Sequence, residues 1–383
     1  MRRRDLLKSA AFGAAAATLG AGEAVAQTPA TPGTTGNSSQ SRAPLSVPEN
    51  GQYATVPLRK DALRVTAVQS VIRPVRNTLS PATEVRRNVD HMVEFIDGAN
   101  GFGGKQDLVC FHEQPISGWA PWNRTELLRV CIEVPGPETE AIGKVARRHG
   151  CYVTFGAYVR DKYWPGHVLL NGILIGPDGN VVASHWKTNN TRGFMPGYDI
   201  FTTSIYDVLD RYREMYGEDA VLPIARTDIG NISCSITPGQ GDVMRAHAMK
   251  GLELRLSAAS GGYNIEETGT VSYYNRLYTV VVNQAISPDN PGFPEFSGSG
   301  DTAIFGPNGR IVARARSANE EFVTAVIPIA EFRRTRALPD VPMEMLLPVY
   351  AKYRPRYGAN LQADYLPLDG ADASKYFASK RRW

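Results

Sequence analysis

Three strand-like runs of this chain hold side chains that could do covalent chemistry. DLVCFHE ends on Glu113, NGILIGPDGNVVASHWK ends on Lys187, and TDIGNISCSIT carries a thiol at Cys234 and a hydroxyl at Thr237. Taken singly, a glutamate or a lysine closing an apolar run is more often an ordinary surface residue. At strand ends of one α/β sheet they become a set, because ligands of such sheets bind beyond the carboxyl ends of the strands. A carboxylate there can take a proton from a nucleophile and return it to a leaving amine, while an ammonium stabilises the oxyanion of a tetrahedral intermediate. That is acyl transfer, and it needs no metal and no organic cofactor. His91, His112, His149, His167, His185 and His247 form no HxH or HxxxH pair, and Cys110, Cys131, Cys151 and Cys234 form no CxxC. The sequence therefore offers no metal-ligand spacing.

The elements around these residues alternate. LRVTAVQSVI reads as a strand, and Ser80-Pro81 as the cap and first turn of a helix whose apolar face is Val85, Val89, Met92, Val93 and Ile96. Strand DLVCF follows, then a helix over 137–149 with acids in its first turn, basic residues in its last and Gly150 as its stop, then strand CYVTFGAYV. Hairpins are expected around Gly176-Pro177-Asp178-Gly179 and Gly306-Pro307-Asn308-Gly309. Between them lie strand GNISCSIT, a helix over 240–250 ending at Gly251, strand LELRLSA and a helical stretch near 271–286. Strands and helices interleaved in this way predict an α/β fold with strands buried on both faces. Cys110, Cys151 and Cys234 fall inside apolar runs, where buried free thiols are expected.

Taken in order, DLVCFHEQPISGW, the GPDGNVVASHWK hairpin, TDIGNI, RAHAMKGLEL and SGSGDTAIFGPNGRIVA resemble the nitrilase superfamily, the carbon–nitrogen hydrolases, over about residues 62–335. GFMPGYDIF, after Lys187, is most similar to the aliphatic amidase branch. The resemblance implies an α-β-β-α sandwich of two sheets flanked by helices, assembly into homo-oligomers, and a Glu-Lys-Cys site with Glu113 and Lys187 in the first two roles. In the family's third strand a glycine begins the run and the nucleophilic cysteine follows seven residues later. Laid on that pattern, Gly230 leads to Thr237, and Cys234 falls three residues short. Shifting the register to use Cys234 keeps the thiol, but it places polar Asn231 at an apolar position and spoils the Ile232/Cys234/Ile236 alternation. The family's second glutamate is replaced by Arg192, whose planar guanidinium suits a carboxylate or phosphate. Trp119 is a candidate for the substrate-binding wall, with Trp122, Trp164 and Trp186 as further aromatics near the site.

Three functions stay open on these residues. One is a hydrolase, amidase- or nitrilase-like, acting on a small amide or nitrile through Glu113, Lys187 and either Cys234 or Thr237. The swap to threonine matters because a thiol ionises near pH 8.5 and an aliphatic hydroxyl does not. A second is a non-catalytic descendant, with Thr237 filling the vacated thiol pocket, that binds a small amide, a carboxylate or a partner. A third is a different reaction, in which Arg192 and Lys187 hold an anion and Glu113 acts as acid or base.

The ends of the chain bear on location. Residues 1–26 combine Arg2, Arg3, Arg4 and Lys8, an apolar stretch from Ser9 to Gly22 and the exit Ala24-Val25-Ala26, and Arg3-Arg4-Asp5-Leu6-Leu7-Lys8 resembles a twin-arginine export signal. That apolar stretch is shorter than the roughly 20 residues of a spanning helix. Cleavage before Gln27 would leave a chain with no membrane segment, periplasmic or secreted. Residues 27–60 read as a disordered linker, 61–336 as the hydrolase-like domain, and 337–383 as an extension wrapping the core or a neighbouring subunit, or disordered. A formal net charge of +4 gives no reason to expect nucleic acid as a partner.

Overall fold

The computed structural model describes residues 45–193, 195–238, 240–290 and 298–383. The signal-like segment 1–26 and the first part of the expected linker lie outside the described residues. The strands are β1 (Leu63–Gln69), β2 (Leu108–Cys110), β3 (Tyr152–Val159), β4 (Leu169–Ile175), β5 (Val181–Trp186), β6 (Ala225–Thr227), β7 (Gly230–Ser233), β8 (Leu254–Ala258), β9 (Tyr278–Val282), β10 (Ala303–Phe305), β11 (Ile311–Arg314) and β12 (Glu321–Ile327). They form two six-stranded mixed sheets, ordered β12-β1-β2-β3-β4-β5 and β11-β10-β9-β8-β7-β6. In each sheet three parallel strands, β1-β2-β3 and β7-β8-β9, lie between antiparallel neighbours.

Side-chain alternation explains the layering. Val65, Ala67, Leu108, Cys110 and Leu174 of the first sheet meet Ile232, Cys234, Leu254, Leu256 and Val280 of the second in one buried cluster. The opposite face of the first sheet packs on α1 (Ala82–Phe102) and, after the short α2 (Arg124–Val130), α3 (Pro137–His149), through Val89, Met92, Ile96, Ile142 and Val145. After α4 (Leu209–Tyr216) in chain order, α5 (Gly241–Met249) and α6 (Ile265–Asn275) lie on the second sheet. Each fully buried Ile, Leu or Val contributes about 1.5–3 kcal/mol by leaving water, so two-sided burial is what holds the sandwich together. All four cysteines are buried free thiols. Among the described residues no helix is long and apolar enough to cross a membrane.

Two expectations change and a third is narrowed. The helical stretch near 271–286 is half strand: α6 ends at Asn275, Arg276 adopts a left-handed φ of 50°, and the β-branched run after it pairs as β9 between β8 and β10. Residues 45–60 are held against the core rather than loose. Tyr53 Oη donates to Glu253 Oε1 at 2.9 Å, Arg333 donates to the Val56 carbonyl at 2.7 Å, and Asn231 donates to the Ala54 carbonyl at 2.9 Å. In the extension the helix Gly370–Lys380 buries Ala373 and Phe377, and Arg124 donates to the Pro367 carbonyl at 2.7 Å. The helix Met343–Lys352, by contrast, buries no residue.

Candidate active site

Glu113 sits three residues beyond β2, where the chain leaves the first sheet. Phe111 N still donates to Thr154 O at 2.8 Å and Gly156 N to His112 O at 3.1 Å, so the segment stays zipped to β3 up to the residue before the glutamate. The Glu113 backbone then passes directly over Gly156, where any Cβ would stand 2.3 Å from the Glu113 carbonyl oxygen. Only glycine in the middle of β3 permits that crossing. Glu113 N donates to Ala259 O at 3.3 Å, which ties the end of β2 to the loop after β8 in the other sheet. The carboxylate is buried; Oε1 accepts from Lys187 Nζ at 3.4 Å, and Oε2 accepts from Ser260 Oγ.

Lys187 follows β5 immediately and remains in the sheet's hydrogen-bond pattern, its N donating to Leu170 O at 2.8 Å. Its carbonyl accepts from Ile205 N at 3.0 Å, so both sides of its backbone are fixed and the ammonium is aimed at Glu113.

Ile232 and Cys234 face the core between the sheets. Cys234 Sγ donates to Gly172 O at 3.1 Å, and burial pushes its thiol up to about 12. A thiol so placed is neither ionised near neutrality nor open to a substrate. Thr237, three residues on, lines the same cavity as Glu113 and Lys187, and Cys234 does not. The Thr237 hydroxyl donates to Ser235 Oγ and accepts from Thr188 Oγ1, both at 3.1 Å.

The cavity measures about 370 Å³ and opens at the carboxyl ends of both sets of parallel strands. One wall is aromatic and apolar, built from Trp119, Trp122, Tyr158, Tyr198 and Phe201. Burial, and then the Glu113 charge, hold the Tyr158 hydroxyl well above the usual phenol range. The other wall carries Arg255, Ser257, Ser260 and Glu267. Arg255 Nη2 donates to the Thr237 carbonyl at 3.0 Å, and burial lowers the guanidinium to about 10.

Arg192 is a correction. It does not line the cavity: Nη2 pairs with Asp207 Oδ1, Nη1 donates to Ile200 O at 2.8 Å, and the guanidinium stacks on the Phe377 ring at 3.5 Å. A cation so enclosed holds the segment 200–207 and the C-terminal helix together, and it is not directed at a ligand beside Lys187. Trp164 and Trp186 likewise pack edge to face in the core, 5.1 Å between ring centroids. Trp119 and Trp122 are the two tryptophans that reach the cavity. Sequence reasoning missed Ser260 and Arg255. LELRLSAAS does hold a signal for the latter, an arginine inside an otherwise apolar strand.

The carbon–nitrogen hydrolase family model matches residues 64–337. This chain belongs to the carbon–nitrogen hydrolase family. Nitrilase 3 of Arabidopsis thaliana is 24% identical to this hydrolase-family chain over 316 residues, covering 73% of it and 82% of the plant protein. A bifunctional nitrilase/nitrile hydratase of Lupinus angustifolius is 22% identical over 224 residues, 54% of this chain and 59% of that one. Among solved structures, an amidase from Nesterenkonia sp. superposes with a TM-score of 0.53 at 14% identity, covering 76% of this chain and 98% of the amidase. That likeness shows the fold, two mixed sheets flanked by helices in a nitrilase-like α-β-β-α sandwich. One form of the Nesterenkonia amidase carries the acetamide moiety of fluoroacetamide covalently added at its active-site cysteine. In this member of the family the segment that follows the strand beginning at Gly230 lines the cavity with Ile236, Thr237 and Pro238, and Thr237 is the one of the three with a side-chain hydroxyl.

Proposed function

We propose that this chain is an exported, amidase-like carbon–nitrogen hydrolase of a small amide or nitrile, with Glu113 as the proton carrier and Lys187 as the oxyanion partner. The observation that carries this reading is the 3.4 Å contact of the Lys187 ammonium with the Glu113 carboxylate on the wall of a largely apolar cavity. Water is displaced there when an amide enters, and both charges then act at low dielectric on the carbonyl carbon. Glu113 takes the nucleophile's proton and delivers it to the departing amine, so one carboxylate serves both half-reactions. Assembly into a homo-oligomer and residence in the periplasm or outside the cell, after loss of residues 1–26, belong to the same proposal.

One observation favours a second reading, in which the fold binds a small ligand without turning it over. The Thr237 hydroxyl is engaged by Ser235 and Thr188, and Glu113 is not among its partners. Ammonia release from small amides and nitriles separates the two. Turnover by the purified chain that is lost in Glu113→Gln supports hydrolysis. Thermal stabilisation by butyramide without ammonia release, with activity gained only in Thr237→Cys, supports the binder.

A further inference from the structure

We propose that Ser260 is the nucleophile of this site, displaced from the strand that supplies Cys in the family to the loop after β8. The inference rests on the hydrolytic reading above. It starts from the one hydroxyl of the cavity, among the described residues, whose hydrogen bond runs to the general base: Ser260 Oγ donates to Glu113 Oε2, while Glu113 Oε1 faces Lys187. A nucleophile within hydrogen-bond reach of its base, and a base oriented by a third group, is the arrangement that activates an oxygen nucleophile. Thr237 lacks it, since its proton goes to another hydroxyl.

The backbone holds this geometry in place. Ser260 follows β8 by two residues, at the carboxyl end of a parallel strand. Ala259, its neighbour, is fixed on both sides, accepting from Glu113 N at 3.3 Å and donating to Val282 O at 2.8 Å. Gly261 and Gly262, with φ of 94° and 84°, turn the chain sharply away just after the serine, in a conformation that costs other residues. Gly261 N donates to Gln284 Oε1 at 2.9 Å, which anchors the turn. The serine thus sits on a tight strand-to-turn corner on the cavity wall, beside Ser257 and Gly262.

The step balances. Ser260 Oγ attacks the amide carbon as its proton passes to Glu113 Oε2, and the carbonyl oxygen becomes an oxyanion facing Lys187. Collapse breaks the C–N bond, Glu113 protonates the leaving amine, and an acyl ester on Ser260 remains. Water then attacks that ester, giving one proton to Glu113; the ester C–O bond breaks, Glu113 returns that proton to the departing Ser260 Oγ, and the carboxylic acid is released.

The test combines labelling with variants of the purified chain. Phenylmethanesulfonyl fluoride is expected to add to the peptide containing Ser260, to stop ammonia release from butyramide, and to do neither in Glu113→Gln. Ser260→Ala is expected to lose ammonia release by at least 100-fold with an unchanged urea midpoint, the scale of loss for a group acting in the transition state. Ser260→Cys keeps measurable turnover and becomes sensitive to iodoacetamide, to which the parent's four buried thiols leave it indifferent. Turnover that survives in Ser260→Ala and dies in Thr237→Ala or Cys234→Ala overturns the assignment while hydrolysis stands. Silence of the parent toward amides and nitriles, with no sulfonyl adduct, overturns the hydrolytic reading and Ser260 with it.

Discussion

The contrast between Lys187 and Arg192 shows how position, not residue type, decides what a cation does. Lys187 Nζ reaches one carboxylate at the edge of a cavity, and its removal leaves the fold's hydrogen bonds untouched apart from that pair. Lys187→Met is therefore expected to lower kcat for amides by about 10²–10³, the usual loss for one oxyanion donor, and to lower the urea midpoint less than Arg192→Ala does, because the Glu113 carboxylate keeps Ser260 as a donor and borders the cavity. Arg192 is paired with Asp207, whose Oδ2 also accepts from Ser204 N at 3.0 Å and Ser204 Oγ at 2.6 Å. Arg192→Ala strands that buried carboxylate and is expected to cost about 3–5 kcal/mol of stability. A parent-like urea midpoint in Arg192→Ala, with a raised KM, would instead return the residue to the site. Glu113 and Lys187 were legible because each closes an apolar run at the carboxyl end of a strand. Ser260 was not, because its significance lies in a hydrogen bond across 147 positions of sequence. Arg192 misled for a related reason: Asp207, 15 residues away, carries no mark in the sequence of being its partner.

At the scale of elements, periodicity located the strands and helices that hold the site, and it failed where two elements share one apolar run. VSYYNRLYTVVV contains no glycine or proline at the change from α6 to β9, so the left-handed Arg276 that ends the helix has no sequence flag. The Pro/Ser-rich approach to β1 read as a free linker, since its fastening residues lie far along the chain at Asp219, Arg226, Glu253 and Arg333. Gly156 gives this scale a direct test. In Gly156→Ala the new methyl group would stand 2.3 Å from the Glu113 carbonyl oxygen and 2.6 Å from its Cα, both backbone atoms with no room to give within a zipped strand. The segment 111–113 must lift off β3. Expected is a loss of more than about 1 kcal/mol in urea unfolding together with a larger loss of amide turnover than stability alone would explain, because Glu113 moves with its backbone. A variant with parent stability and parent kcat would show that Glu113 is not positioned by this crossing.

For the molecule as a whole, two packed sheets bury histidines that cannot be charged where they sit. His112 is held down to about 3, His185 to about 4 and His247 to about 3, in each case first by burial. His185 Nδ1 accepts from Cys234 N at 3.3 Å and His112 Nδ1 from Gln114 N at 3.2 Å, bonds that require neutral rings, and Nε2 of His247 has no hydrogen-bond partner among the described residues. In the unfolded chain the same imidazoles titrate near 6.5. Below that pH the unfolded state takes up protons that the native state refuses until about pH 3–4, so stability present at neutral pH is lost on acidification through this window. Each histidine contributes a slope of about 1.4 kcal/mol per pH unit once the pH is well below about 6.5. Carboxylates held below their usual range act in the same direction, among them Asp97 and Glu320, where burial is outweighed by hydrogen bonds from His149 and Arg148 and from His91, but they do so only as the pH falls through the carboxylate range. Asp199, raised by burial, opposes them there. Urea midpoints are therefore expected to be level above about pH 7 and to fall increasingly steeply from about pH 6.5 to about pH 5, before the carboxylates titrate. A midpoint that does not move between about pH 7 and about pH 5 would mean that these rings are charged, or reached by water, in the folded protein.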